Sequence, residues 1–265
     1  MKAFLIKINR TLGIYGFYPS KLFYGFYGLP GYITDFIKLK RLRGENREFV
    51  FGKIHPILNE KNSQSGNLRN PYFIQDLFFS KIIYQKRPKH HLDIASRIDG
   101  FVAQLAVFME VNVMDIRSQE SHDNIKFQQG DLMNLSTDLI GKFDSISSLH
   151  AIEHFGLGRY GDPLNYNGHL NAINNIHKML KKNGTFYFSV PISVSQRIEF
   201  NAHRVFSINY LYEILKNLFH IEEFSLLDDD FKLQESIDLK SYDISKFEKE
   251  LNIKMGLGMF VLIKI

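Results

Sequence analysis

The chain has 265 residues, of which 45% are hydrophobic and 23% charged, enough for one large domain or a domain with an appendage. It contains no cysteine, which excludes disulfides, thiolate metal sites and cysteine nucleophiles. The net charge of +5 suits anionic partners such as nucleotides, phosphorylated metabolites or an acidic membrane face.

Residues 1–53 carry ten Lys and Arg against three acids, together with the aromatic stretch YGFYPSKLFYGFYGLPGY over residues 15–32. The glycines and prolines of that stretch are expected to interrupt any long helix. Two readings stand side by side. The aromatics pack as a cap on a main domain, or they form a peripheral membrane contact, because aromatic and cationic side chains together favour anionic interfaces. Base stacking on nucleic acid fits less well, since the stretch is rich in Leu and Phe and holds no recognition motif. No apolar run approaches the ~20 residues that a membrane-spanning helix needs. Charges in MKAFLIKINR fall where a signal peptide would carry its apolar core, so a cytoplasmic location is expected, including the inner face of a membrane. Residues 54–88 read as a connector with a helix over 72–84. The predicted boundary therefore separates an extension, 1–88, from a domain, 89–265.

From residue 90 strands and helices alternate. HHLDIAS is an apolar run suited to a buried strand, and DGFVAQLAVFME follows as a helix with Asp99 at its N-cap. VNVMDIR and NIKFQQGD read as the second and third strands. FDSISSLHAIEH begins as a fourth and runs into the glycine-rich loop GLGRYGDP. HLNAINNIHKMLKKNG is an amphipathic helix that Gly184 is placed to end. GTFYFSVP, HIEEFSLLDDD and GMFVLIKI supply strands five to seven, with the helix SINYLYEILKNLF after the fifth. This order predicts a doubly wound, mostly parallel seven-stranded α/β sheet, Rossmann-like in character. No crossover helix is evident before the last strand, which is therefore expected to run antiparallel.

In open α/β sheets ligands sit outside the carboxyl ends of the strands, so the residues there are the candidates for a site. Asp115 ends the second strand about one loop-helix-strand unit after Asp93, placed to accept from ribose hydroxyls. Asp131, after Gly130, could accept from an adenine amino group or cap a turn. Asp93 itself, within the first strand, could be a cap or turn residue.

The segments LDIASRIDGF, MDIR, SSLHAIEHFGLGRYGDP, LKKNGTFYFSVP and FNAHRVF resemble class I S-adenosylmethionine-dependent methyltransferases. More narrowly, over about residues 89–215, they resemble the DUF268 family, taken here as bacterial. The resemblance implies the fold, S-adenosylmethionine as cofactor, and work on surface-polysaccharide precursors such as those of capsule. The implied cofactor site comprises Asp93, as support for the cofactor's amino group, with Ala95, Ser96 and Gly100 in and after the first strand. It continues with Asp115 and Ile116, Asp131 and Leu132, and Ser148 and His150 at the next strand ends. One departure is plain: the usual glycine-rich turn is replaced by DIASRIDG, whose only glycine is Gly100. Arg97 there could pair with a carboxylate or be solvated.

Methyl transfer needs an aligned acceptor and, often, removal of its proton. His154, after the fourth strand, is the first candidate base, with His203 second, since imidazole titrates near neutral pH. Glu153, Arg159, Tyr160, Asp162, Asn201 and Arg204 are expected to bind substrate, the two arginines by gripping an anionic group. A sugar, sugar nucleotide or phosphorylated metabolite methylated on oxygen is the expected acceptor. Glu153, His154, Asp162 and His203 could supply ligands to a divalent metal, but no compact motif such as HExxH supports one, and none is expected. GLGRYG lacks the GK[ST] ending of a phosphate loop and reads as a cover over substrate. Two competing readings are the same fold with other chemistry and a non-catalytic membrane-associated partner of glycan-assembly enzymes.

Overall fold

A computed structural model describes residues 2–46, 48–61 and 63–265; Met1, Arg47 and Asn62 lie outside the described residues. It divides into two compact units, one ending at Asn67 and one beginning at Leu68.

The first unit contains α1 (Lys2–Gly13) and α2 (Pro19–Arg43). The long helix was not expected, because α2 runs through Gly25, Gly28, Pro30 and Gly31. Pro19 stands at its start, where the missing N–H costs nothing. Pro30 removes a single ladder bond, and Thr34 Oγ1 donates to the Pro30 carbonyl at 2.9 Å. Gly28 has a packing role, since any side chain there would collide with the backbone carbonyl of Leu58. Despite its 25 residues, α2 buries none of its side chains.

The second unit is built on a sheet of strands β1 (His91–Ile94), β2 (Val111–Asp115), β3 (Ile125–Gln129), β4 (Phe143–Leu149), β5 (Leu180–Ile192), β6 (Phe219–Leu227) and β7 (Gly256–Lys264). Their order is β3-β2-β1-β4-β5-β7-β6, with the two-residue strand Leu233–Gln234 at the β6 edge. The first five are parallel, and β7 is antiparallel to both β5 and β6, as expected, although a short helix, Ile244–Leu251, does lie between β6 and β7. Successive side chains alternate between faces. Phe186, Phe188, Phe260 and Leu262 therefore enter one core, and Tyr187, Met259 and Val261 the other. Helices α3 (Pro71–Lys86) and α4 (Ala103–Ala106, entered through the π turn Ile98–Val102) cover the second face with Phe79, Ile83, Phe101 and Leu105. Helices α5 (Gly168–Met179), α6 (Ile208–Leu215) and α7 (Ile244–Leu251) cover the first with Ile173, Ile176, Leu211 and Ile244.

Three local expectations need correction. Helix α3, grouped by sequence with the extension, packs within the larger unit, because Phe79 and Ile83 are fully buried in its core. Asp99 lies inside the first turn of its helix, paired with Arg97 at 2.8 Å, and is not the cap. Helix α5 stops at Met179, well short of Gly184, because pairing of Phe143 with Leu180 draws the chain into β5. A separate two-stranded ribbon, Arg197–Glu199 with His203–Val205, follows β5.

Candidate active site

Strand order reverses between β1 and β4, and the loops leaving β1, β2, β3 and β4 surround a cavity of about 740 Å³ there. The first loop turns at Ala95, whose φ of +58° lies in the left-handed region that glycine usually occupies. Ser96 fastens the loop. Its hydroxyl donates to Asp93 Oδ2 at 2.7 Å and accepts from the Leu149 N–H at 3.0 Å, tying β1 to the end of β4. Asp93 also accepts from the Ser96 N–H and from Ser147 Oγ, and His91 closes the chain on Ser147 at 3.0 Å. Burial pushes the Asp93 carboxyl up to about 6 and holds His91 down to about 3, so that His91 is neutral.

At the end of β2, Asp115 accepts from Arg117 Nη2 at 2.6 Å and from its Nε at 3.0 Å. That hydrogen bond raises the Arg117 pKa, and the guanidinium lies 4.3 Å over the Tyr160 ring. Asp131 holds its own turn through the Met133 N–H at 2.9 Å. Across the cavity His150, with φ +52°, packs its ring 4.8 Å from Tyr72 of α3. Its Nδ1 meets Glu153 Oε1 at 2.9 Å.

His154 is buried, with Nδ1 2.6 Å from the Ala202 carbonyl. A carbonyl only accepts, so Nδ1 carries the proton and Nε2 keeps its lone pair in the neutral ring. Burial lowers the pKa, which keeps that ring neutral to below its ordinary range. Nε2 is 3.8 Å from Glu153 Oε1, and the His203 ring lies 6.3 Å from the His154 ring. Beyond them a second cavity of about 260 Å³ shares Tyr72, His150, His154 and Arg159 with the first.

The family described as "Caenorhabditis protein of unknown function, DUF268" matches residues 91–263, from the start of β1 almost to the end of β7. The chain belongs to the DUF268 family. That description refers to Caenorhabditis and not to the bacterial family expected from the sequence. Among solved structures, the 1,6-didemethyltoxoflavin-N1-methyltransferase of Burkholderia thailandensis, crystallised with 1,6-didemethyltoxoflavin and S-adenosylhomocysteine, is similar in fold. It is 15% identical over 72% of this chain and 79% of its own, with a TM-score of 0.51. A putative sarcosine dimethylglycine methyltransferase from Galdieria sulphuraria is 12% identical over 72% of this chain and 85% of its own, with a TM-score of 0.50. The search of curated proteins found no match.

In this DUF268 member the residues named from sequence divide by position. Ala95, Ser96, Asp115, Ile116, Asp131, Leu132 and His150 line the larger cavity, joined by His154, Arg159, Tyr160 and Asp162. Asp93, Gly100 and Ser148 stand behind it. Asp93 is spent on Ser96 and Ser147, Gly100 abuts the Asp76 carboxylate, and the Ser148 hydroxyl donates to the Ile94 carbonyl. Glu153 and His203 line the smaller cavity.

Two expected substrate ligands have other work, and a third lies away from both cavities. Arg204 is buried and donates to the carbonyls of Phe155 and Tyr166 at 2.6 and 2.9 Å, and more distantly to those of Glu153 and Asn165. It therefore anchors the loop after β4. Asp162 accepts from the backbone N–H groups of Gly156, Gly158 and Tyr160, which shapes the same loop and leaves it poorly placed as a metal ligand. Asn201 is exposed and lines neither cavity. Among the described residues no three His, Asp or Glu side chains are grouped as a metal ion would need. Tyr72 and Arg117 were missed. Arg117 lay two residues past a flagged carboxylate, whereas nothing local marked Tyr72, which only the packing of α3 brings to the site.

Proposed function

We propose that this protein is an S-adenosylmethionine-dependent methyltransferase. The observation that carries the reading is the 740 Å³ cavity at the β1/β4 reversal, with Asp115 and Asp131 on its wall and His154 at its junction with a second cavity. The residues present fit that cofactor. Asp115, although it accepts from the backbone N–H, Nε and Nη2 of Arg117, keeps an acceptor site for a ribose hydroxyl, because a carboxylate offers about four lone-pair sites. Asp131 has one oxygen uncommitted to its turn, and Ile116 and Leu132 add apolar surface beside these acids. Ala95 reaches by strain the backbone shape that glycine gives the broader class. S-adenosylmethionine, when bound, supplies an electrophilic methyl group.

The chain's own residues then have separable tasks. The Ala202 carbonyl fixes the His154 ring through Nδ1–H, and Nε2 takes the proton from the acceptor's oxygen or nitrogen. Tyr160 and Arg159, on the loop shaped by Asp162 and anchored by Arg204, cover the junction and restrict water. Oxygen of a sugar or anionic metabolite in surface-polysaccharide assembly is the acceptor implied by the sequence resemblance. Of its two supporting arginines, only Arg159 faces a cavity with its guanidinium not fully engaged by backbone. Calorimetry of the full chain with S-adenosylmethionine and S-adenosylhomocysteine tests the cofactor. Saturable binding of both is expected; no heat with either at millimolar ligand overturns the proposal.

Peripheral membrane contact joins the reading through one observation: α2 buries no side chain while exposing Phe23, Phe26 and Tyr27 beside Lys21, with Lys38, Lys40 and Arg41 further along. No helix among the described residues is long and apolar enough to cross a membrane. Co-sedimentation with vesicles containing anionic lipid should weaken as salt rises, and salt-independent binding contradicts the electrostatic part.

A further inference from the structure

Glu153 is about 1% exposed, and its two carboxylate oxygens differ. Oε1 meets His150, whereas Oε2 has no hydrogen-bond partner among the described residues. Burying such an oxygen unpaired costs several times what a satisfied bond returns, so the site calls for a donor from outside the chain. Glu153 lines the 260 Å³ cavity together with His203, whose Nε2 faces the Glu199 carboxylate at 3.6 Å. A ligand there meets one carboxylate oxygen, Glu153 Oε2, in search of a donor.

The rest of the wall narrows the class. Asp228 and Asp229 add negative charge to the wall, although Asp228 Oδ1 and both oxygens of Asp229 accept from backbone N–H groups, against the single guanidinium of Arg159. An anionic group would lie in the field of three acids, and a polyhydroxylated sugar would press its hydroxyls on Leu227, Phe231, Met255 and Leu257. A positive, donor-rich head on an apolar body satisfies both halves of the wall.

We propose that the smaller cavity binds the methyl acceptor as a small primary or secondary amine with an apolar substituent, its N–H donating to Glu153 Oε2. This rests on the methyltransferase reading and replaces an anionic metabolite with a cationic one as acceptor. Bound as ammonium, the nitrogen loses one proton to His154 Nε2, which frees its lone pair. That pair forms the new N–C bond as the sulfonium S–C bond breaks, its electrons returning to sulfur. The products are the methylated ammonium and S-adenosylhomocysteine, with the proton left on His154.

The test uses the full chain, with and without saturating S-adenosylhomocysteine, and three probes of nearly one shape: benzylamine, benzyl alcohol and benzoate. Ligand-observed NMR titration should rank benzylamine at least about tenfold tighter than either of the others, the size expected for one charge-assisted bond to a buried carboxylate. Glu153→Gln should remove most of that preference while leaving S-adenosylhomocysteine affinity within about threefold. Benzoate binding as tightly as benzylamine, or equal affinity for amine and alcohol in the wild-type chain, overturns the proposal whatever the variant does. A preference that survives Glu153→Gln overturns the role given to Oε2. Amine preference without binding of S-adenosylhomocysteine supports the amine site while refuting the methyltransferase reading. Cofactor binding without amine preference refutes the amine site alone.

Discussion

Replacing Arg204 by methionine separates a loop anchor from a substrate ligand. Methionine keeps much of the side-chain volume and removes every donor, so the carbonyls of Phe155 and Tyr166 lose bonds of 2.6 and 2.9 Å. Two short bonds to a charged donor contribute about 1.5–3 kcal/mol each, and the two at 3.4 Å contribute little. Relief of the guanidinium's burial, which already lowers its pKa, offsets part of the loss. The expected cost is about 3–5 kcal/mol, which for a domain of this size lowers Tm by on the order of 10 °C. Thermal unfolding followed by circular dichroism reads that change, and Arg204→Lys should recover only part of it, because one ammonium cannot span both carbonyl pairs. A drop below about 2 °C, combined with weakened acceptor binding, would place Arg204 at the substrate and refute the anchor.

Ala95→Gly should stabilise the chain by up to about 1 kcal/mol, since left-handed φ costs an L-residue roughly 1–2 kcal/mol and glycine returns about half of that as chain entropy; an unchanged or lower Tm counts against strain at φ +58°. Asp93→Asn isolates a buried carboxyl that titrates at about 6 when folded and 3.8 in its ordinary state. The folded wild type binds the extra proton between those values, so its advantage over the variant is full below pH 3.8 and falls as pH rises through 6. The change is about 3 kcal/mol, and a flat difference in unfolding free energy across that window would contradict it. For His154, burial predicts that the acid limb of kcat falls below the ordinary imidazole range near 6.5. His154→Asn should lower kcat by about 10²–10⁴ while S-adenosylhomocysteine affinity stays within about threefold; loss of that affinity instead would remove His154 from the role of base.

Periodicity and spacing were sufficient for the sheet, because a fully buried parallel strand must be a short apolar run and each crossover needs a helix. The antiparallel last strand was expected from the same rule, although the connection before it holds the short helix α7. Asp115 and Asp131 were legible as cavity residues because strand ends in this architecture face the ligand side by construction. Partner choice was not legible. Asp93 and Ser148 sit at strand positions as promising as Asp115, yet the pleat turns them into hydrogen bonds beneath the loop. His203 and Arg204 are adjacent, but one lines the smaller cavity and the other is consumed by four carbonyls brought from residues 153–166. Tyr72 reaches the site from a helix in the connector, across more than seventy residues of chain. Local sequence, through backbone geometry and the need to bury apolar faces, determines where the strands end. Which side chains at those ends are left free to meet a ligand depends on donors and acceptors that only folding brings within 3 Å.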